Sequence, residues 1–100
     1  MALKLKIEKT YEDTAENVYD NAYAICNLIY TINRTSKLIV FEVKIYKNKA
    51  AYNKGKSAFV AINYTPSVEE FDLYFLTGNP FNKVDDFLLA QVEWVDWEID

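Results

Sequence analysis

At 100 residues and 11.7 kDa the chain has room for one hydrophobic core and not two, because a domain of this size hides only about two-thirds of its unfolded surface. Its 51% hydrophobic, 16% aromatic and 26% charged residues exclude intrinsic disorder, and the absence of histidine with a single cysteine, Cys26, excludes His-based triads, His or Cys zinc sites, redox pairs and disulfide frameworks. A net charge of −4 hides a division along the chain: residues 1–68 hold ten cations and six acids, whereas residues 69–100 hold nine acids and one cation, Lys83.

Leu3, Leu5 and Ile7 alternate with Lys4, Lys6 and Glu8, the period of a strand with one wet face. The same alternation lacks the continuous apolar core of a secretory leader, and no stretch nears the roughly 18 to 20 apolar residues of a membrane span. A soluble protein kept in the cell that makes it is the expectation, with no membrane partner. Residues 10–21 read as a polar connection. The apolar run Ala22 to Ile32 that follows shows no polar face, which predicts a strand buried on both sides, with a helix as the competing reading.

Asn33 to Lys37 reads as a hairpin loop. Beyond it Ile39, Phe41, Val43 and Ile45 alternate with Val40, Glu42, Lys44 and Tyr46, so this pair should form the centre of an antiparallel sheet. Asn48 is placed to cap a helical turn over residues 49–54 that Gly55 closes in a left-handed conformation. Residues 57–64 return as a strand, with Val60, Ile62 and Tyr64 on one face and Phe59 and Ala61 on the other. Ser67 and Glu70 have capping-box spacing, which predicts a short helix over 67–74. Asn79 before Pro80 starts a second helix, ending near Gln91, with Phe81, Val84, Leu88 and Gln91 along one face, Phe87 beside it, and Asn82, Asp85 and Asp86 outward. Val95, Trp97 and Ile99 then alternate with Asp96, Glu98 and Asp100, as an edge strand or an extended docking arm. The fold class expected is α+β: one domain over 1–100, predominantly antiparallel sheet, with one or two short helices in the C-terminal third.

Chemistry-bearing constellations are sparse. Glu69, Glu70 and Asp72, or Asp85 and Asp86, could ligate calcium or share acid–base work, but no calcium-loop spacing accompanies them and acids suit a helix's first turn for electrostatic reasons alone. Cys26 lies in an apolar run without a histidine to activate it. The basic stretch Arg34, Lys37, Lys44, Lys47, Lys49, Lys54 and Lys56 faces only Glu42, yet a pI near 4.8 argues against a nucleic-acid partner. Asn33 and Asn63 head Asn-x-Thr triplets that read as turn and strand residues. No catalytic, cofactor-binding or metal site is therefore expected, no cofactor and no small-molecule substrate.

Eight tyrosines, six phenylalanines and two tryptophans exceed what a core this small must hold, and tyrosine gives large contact area at low rotamer cost. Tyr11, Tyr19, Tyr46 and Tyr52 fall at strand ends or in polar segments, and Tyr46, Tyr52, Lys44 and Lys47 are candidate interaction residues. So are Trp94 and Trp97, which would anchor the acidic arm Glu93 to Asp100 on the lysine-rich middle of a neighbouring subunit. The competing reading has both indoles closing the domain's own core.

The opening Met-Ala-Leu-x-Leu, the words KIYKNKAAYNKGKSAF, YTPSVEEFDLYF and NPFNKVDDFLL, and the acidic C-terminal stretch together resemble a small protein encoded among the structural genes of tailed bacteriophages. The resemblance implies a virion component made in the bacterial host cytoplasm, in the tail, neck, baseplate or capsid surface, and it carries no functional residues over. The function expected is non-enzymatic: multicopy assembly with copies of itself and neighbouring virion proteins. The alternatives are a capsid accessory or decoration protein, or a small acidic phage-encoded protein that binds and inhibits a host protein.

Overall fold

Residues 2–100 are described by a computed structural model. The strands are β1 (Ala2–Leu5), β2 (Tyr11–Glu12), β3 (Val18–Tyr19), β4 (Tyr23–Asn33), β5 (Leu38–Tyr46), β6 (Val60–Tyr64) and β7 (Trp97–Ile99). The helices are α1 (Lys49–Asn53), α2 (Val68–Tyr74) and α3 (Pro80–Leu89), and a 3-10 turn spans Val92–Trp94. Five strands form one antiparallel sheet in the order β6-β5-β4-β1-β7, and β2 with β3 forms a separate hairpin. The α+β class holds, and the strands near 24–32, 38–46 and 57–64 are neighbours, as short polar connections favour.

Strand β5 is where sequence and packing agree most closely. Ile39, Phe41, Val43 and Ile45 are buried and face α2 and α3, whose Phe71, Val84, Phe87 and Leu88 complete the core together with Phe75 at the end of α2. Phe41 is the hub, with ring centroids 5.5 Å from Tyr64, 5.8 Å from Phe87 and 6.1 Å from Phe75. The helix starts follow local chemistry. Asn48 Oδ1 accepts from the Ala51 amide at 2.7 Å, Ser67 and Glu70 close a full capping box, and Asn79 Oδ1 accepts from the Phe81 amide at 3.0 Å with Pro80 in the first turn. Gly55 has φ +73°, the left-handed closure a glycine permits after α1.

Several expectations are corrected. Strand β1 stops at Leu5, and Ile7 lies outside it, 88% exposed. Residues 10–21 hold the β2–β3 hairpin, whose turn is organised by Asp13: its Oδ1 accepts from the amides of Ala15 and Asn17, both at 2.9 Å. Strand β4 is not buried on both sides. Its pairing with β5 shifts between Ile25 and Leu28 and again between Ile29 and Thr31, so two bulges carry the inward phase from Cys26 to Ile29 to Ile32, in steps of three rather than two. The apolar run lacked a polar face because it changes phase, not because both faces are covered.

In α3, Asp85 is 2% exposed and Phe81 is exposed, reversing their expected sides. Inward positions 84, 85, 87 and 88 span a wider arc than the assumed stripe, because α3 packs against both α2 and the sheet. The helix ends at Leu89, two residues before Gln91.

Candidate assembly surfaces

Because β5 alternates strictly, residues 38, 40, 42, 44 and 46 share the sheet face opposite the helices. Register brings Tyr23 opposite Tyr46, Lys44 opposite Ile25 and Ala61, Glu42 opposite Leu28, and Val40 opposite Thr31 on that back face. Helix α1 covers one end of it. There Tyr52 meets Tyr46 edge-on at 5.1 Å and lies 5.5 Å from Tyr23, so Tyr46 and Tyr52 do come together. They form a closed cluster: Tyr23 and Tyr46 are buried and Tyr52 half-buried.

Beside the cluster a cleft of about 320 Å³ opens between β1, β4 and α1, with Lys4, Asp20, Lys49 and Asp100 among its lining residues. Two of its charges pair with each other. Lys49 Nζ lies 2.9 Å from Asp100 Oδ2 and 5.9 Å from the Tyr23 ring centre. That contact holds the Asp100 carboxyl below the usual range and raises the Lys49 ammonium, while burial and then Asp100 push the Tyr23 phenol up.

The other end of the back face is open. Leu28, Tyr30 and Leu38 are 40%, 53% and 41% exposed, with half-buried Ile25 and Val40 beside them. Tyr30 Oη donates to Glu42 Oε2 at 3.1 Å, which raises the phenol's pKa, and Lys44 Nζ sits 3.7 Å from Glu42 Oε1. The result is an apolar stripe with an acid and a base side by side on it. Lys44 therefore belongs to this surface, whereas Lys47, just past β5, is exposed and makes no ion pair among the described residues.

No protein-family model, curated protein or solved structure gives a significant match to the chain.

The tryptophans lie elsewhere. Trp94 and Trp97 are 2% and 4% exposed, 4.9 Å apart, and Trp94 Nε1 donates to the Tyr64 hydroxyl at 2.8 Å. Segment 97–99 is the edge strand β7, paired with β1 through Leu3↔Ile99 and Leu5↔Trp97. The docking-arm expectation is corrected accordingly: the indoles are spent in the domain's own core. Part of the charge division is met within the chain as well. Lys9 pairs with Asp96 at 3.8 Å, Lys37 with Asp72 and Lys49 with Asp100 both at 2.9 Å, and Lys4 stands opposite Glu98 in register. These acids have cations of their own and do not need a neighbour's.

The sequence reading missed Leu28, Tyr30 and Leu38. The signal was present in the three-residue spacing of Cys26, Ile29 and Ile32, which leaves Leu28 and Tyr30 on other faces once the bulges are recognised. Two of the carboxylates singled out in the sequence have ordinary places, Glu70 in the α2 capping box and Asp72 in an ion pair, and among the described residues no three Asp, Glu or Cys side chains converge as metal ligands. Cys26 is buried, and desolvation pushes its thiol up to about 11, so it is a poor nucleophile as placed. Among the described residues no helix is long and apolar enough to cross a membrane.

Proposed function

We propose that the chain is a non-enzymatic structural component of a tailed-phage virion, in the tail, neck or baseplate, and acts by multicopy protein–protein assembly. The observation that carries this reading is the open end of the back face, where Leu28, Tyr30 and Leu38 stand exposed on a five-stranded sheet while Tyr23 and Tyr46 at its other end are buried. Rigid sheet surfaces lose little conformational freedom on contact, which favours assembly at modest area. The stripe also suits a second copy. A two-fold axis passing between Glu42 and Lys44, 3.7 Å apart within the chain, would set Glu42 of one copy against Lys44 of the other, so each would supply both halves of a complementary pair.

Two measurements test it. Mass spectrometry of purified particles of a phage encoding the chain should find it at stoichiometric level; absence from the particles would refute the virion role. Light scattering on the purified chain should give a dimer or larger species that Leu28→Glu converts to monomer with unchanged circular dichroism. A chain monomeric at high concentration, with and without the substitution, would refute self-association through this face.

A further inference from the structure

Between the β2–β3 hairpin and β7 lies a cavity that the assembly reading does not use. Its volume is about 160 Å³, and it is lined by Tyr11, Ile45, Ile62, Glu93, Trp94 and Trp97. Half of that wall is electron-rich ring. Trp94 and Trp97 have planes inclined at 53° and form a wedge rather than a stack, and Tyr11 stands edge-on to Trp97 at 6.1 Å. The Trp94 N–H is already taken by the Tyr64 hydroxyl, which leaves the ring face as that indole's means of recognition. No lining residue is cationic. The charged one is Glu93, exposed on the 3-10 turn and joined to no cation among the described residues.

We propose that this cavity binds an alkylated ammonium head group of the choline or trimethyllysine type. Ring faces attract a cation through their quadrupole, most strongly for indole, and quaternary ammonium groups suit such sites because their charge is spread over methyl groups that shed water cheaply. The carboxylate of Glu93 adds attraction of the right sign at the rim. A neutral apolar guest would gain burial but would leave that carboxylate partly desolvated without compensation. The volume fits, since a cavity of about 150 Å³ admits benzene, a molecule of about the bulk of tetramethylammonium.

Access explains why binding should be weak. Both indoles are nearly sealed, so the guest reaches them past Tyr11, which is half-buried. Tyr11 belongs to the hairpin outside the main sheet, whose rings rest on Phe59, Tyr11 at 6.1 Å and Tyr19 at 4.3 Å. A two-stranded hairpin held by ring contacts is among the first elements to open locally. This inference is independent of the assembly reading.

The chain's two tryptophans both line the cavity, so the emission of the full chain reports directly on it. It is titrated with tetramethylammonium chloride, choline chloride and trimethyllysine, against sodium chloride at matched ionic strength and against the neutral tert-butyl analogue of choline, in which carbon replaces nitrogen. A saturable millimolar response to the cations, at least about threefold tighter than to the neutral analogue, is expected, and the tighter of choline and trimethyllysine identifies the source of the head group. Glu93→Gln, at an exposed position, should keep the circular dichroism spectrum and weaken cation binding roughly threefold or more. Equal affinity for the neutral analogue, an unchanged affinity in Glu93→Gln, or an emission that follows sodium chloride alone would each overturn the proposal.

Discussion

Replacing Trp97 by alanine separates an indole that closes the core from one held out for a partner. Trp97 is 4% exposed, lies 4.9 Å from Trp94 and 6.1 Å from Tyr11, and stands opposite Leu5 in the β1–β7 ladder. Truncating a buried aromatic ring costs about 3 to 5 kcal/mol through lost transfer free energy and the cavity left behind. The low end applies here. The site adjoins an existing cavity and the edge of the sheet, where the β2–β3 hairpin can settle and water can enter, so about 3 kcal/mol is expected. For a domain of this length that corresponds to a fall in melting midpoint of about 12 to 24 °C. Far-UV circular dichroism on heating measures it, with Val95→Ala as the reference. Val95 is two residues earlier and 62% exposed, so its loss should stay within about 0.5 kcal/mol. If Trp97→Ala melts with the reference, the indole does not belong to the core and the reasoning fails.

Tyr64→Phe should cost about 1 to 2 kcal/mol in denaturant unfolding, because it strips the acceptor from the buried Trp94 N–H, and an unchanged midpoint would show that the 2.8 Å contact does not stabilise. Leu88→Asp should prevent folding while Asp86→Ala, at an exposed position of the same helix, stays nearly neutral, as solubility and circular dichroism would report. Cys26 should resist alkylation in the native chain and react once denaturant unfolds it, and rapid native labelling would contradict its burial. The thiol also fixes a sign. Its pKa rises from 9.0 to about 11 on folding, so its contribution to stability is fully present below pH 9 and is lost as pH climbs toward about 11, which denaturant midpoints across that range would show.

The sequence by itself determined what acts over a few residues. Asn48, Ser67 with Glu70, and Asn79 with Pro80 start their helices because a side-chain oxygen needs only the amide two or three positions ahead. The alternation through β5 fixed its buried face because every second side chain must share one side of a pleated strand, whatever lies across from it. The tertiary structure decided wherever a residue's surroundings come from far along the chain. Pairing with β5 introduces the bulges that turn β4 and bring Leu28 and Tyr30 to the open surface, and no local spacing rule counts residues on the opposite strand. Asp85 is buried because α2 and the sheet meet α3 on two sides, widening the inward arc beyond one stripe. The acidic residues 96–100 lie next to Lys4, Lys9 and Lys49 only because β7 returns to β1, so the charge division in the sequence becomes a set of internal pairs. Composition lists the charges and the rings, but which of them meet is set by strand order, and that order comes from burying the inward faces of the sheet and helices together.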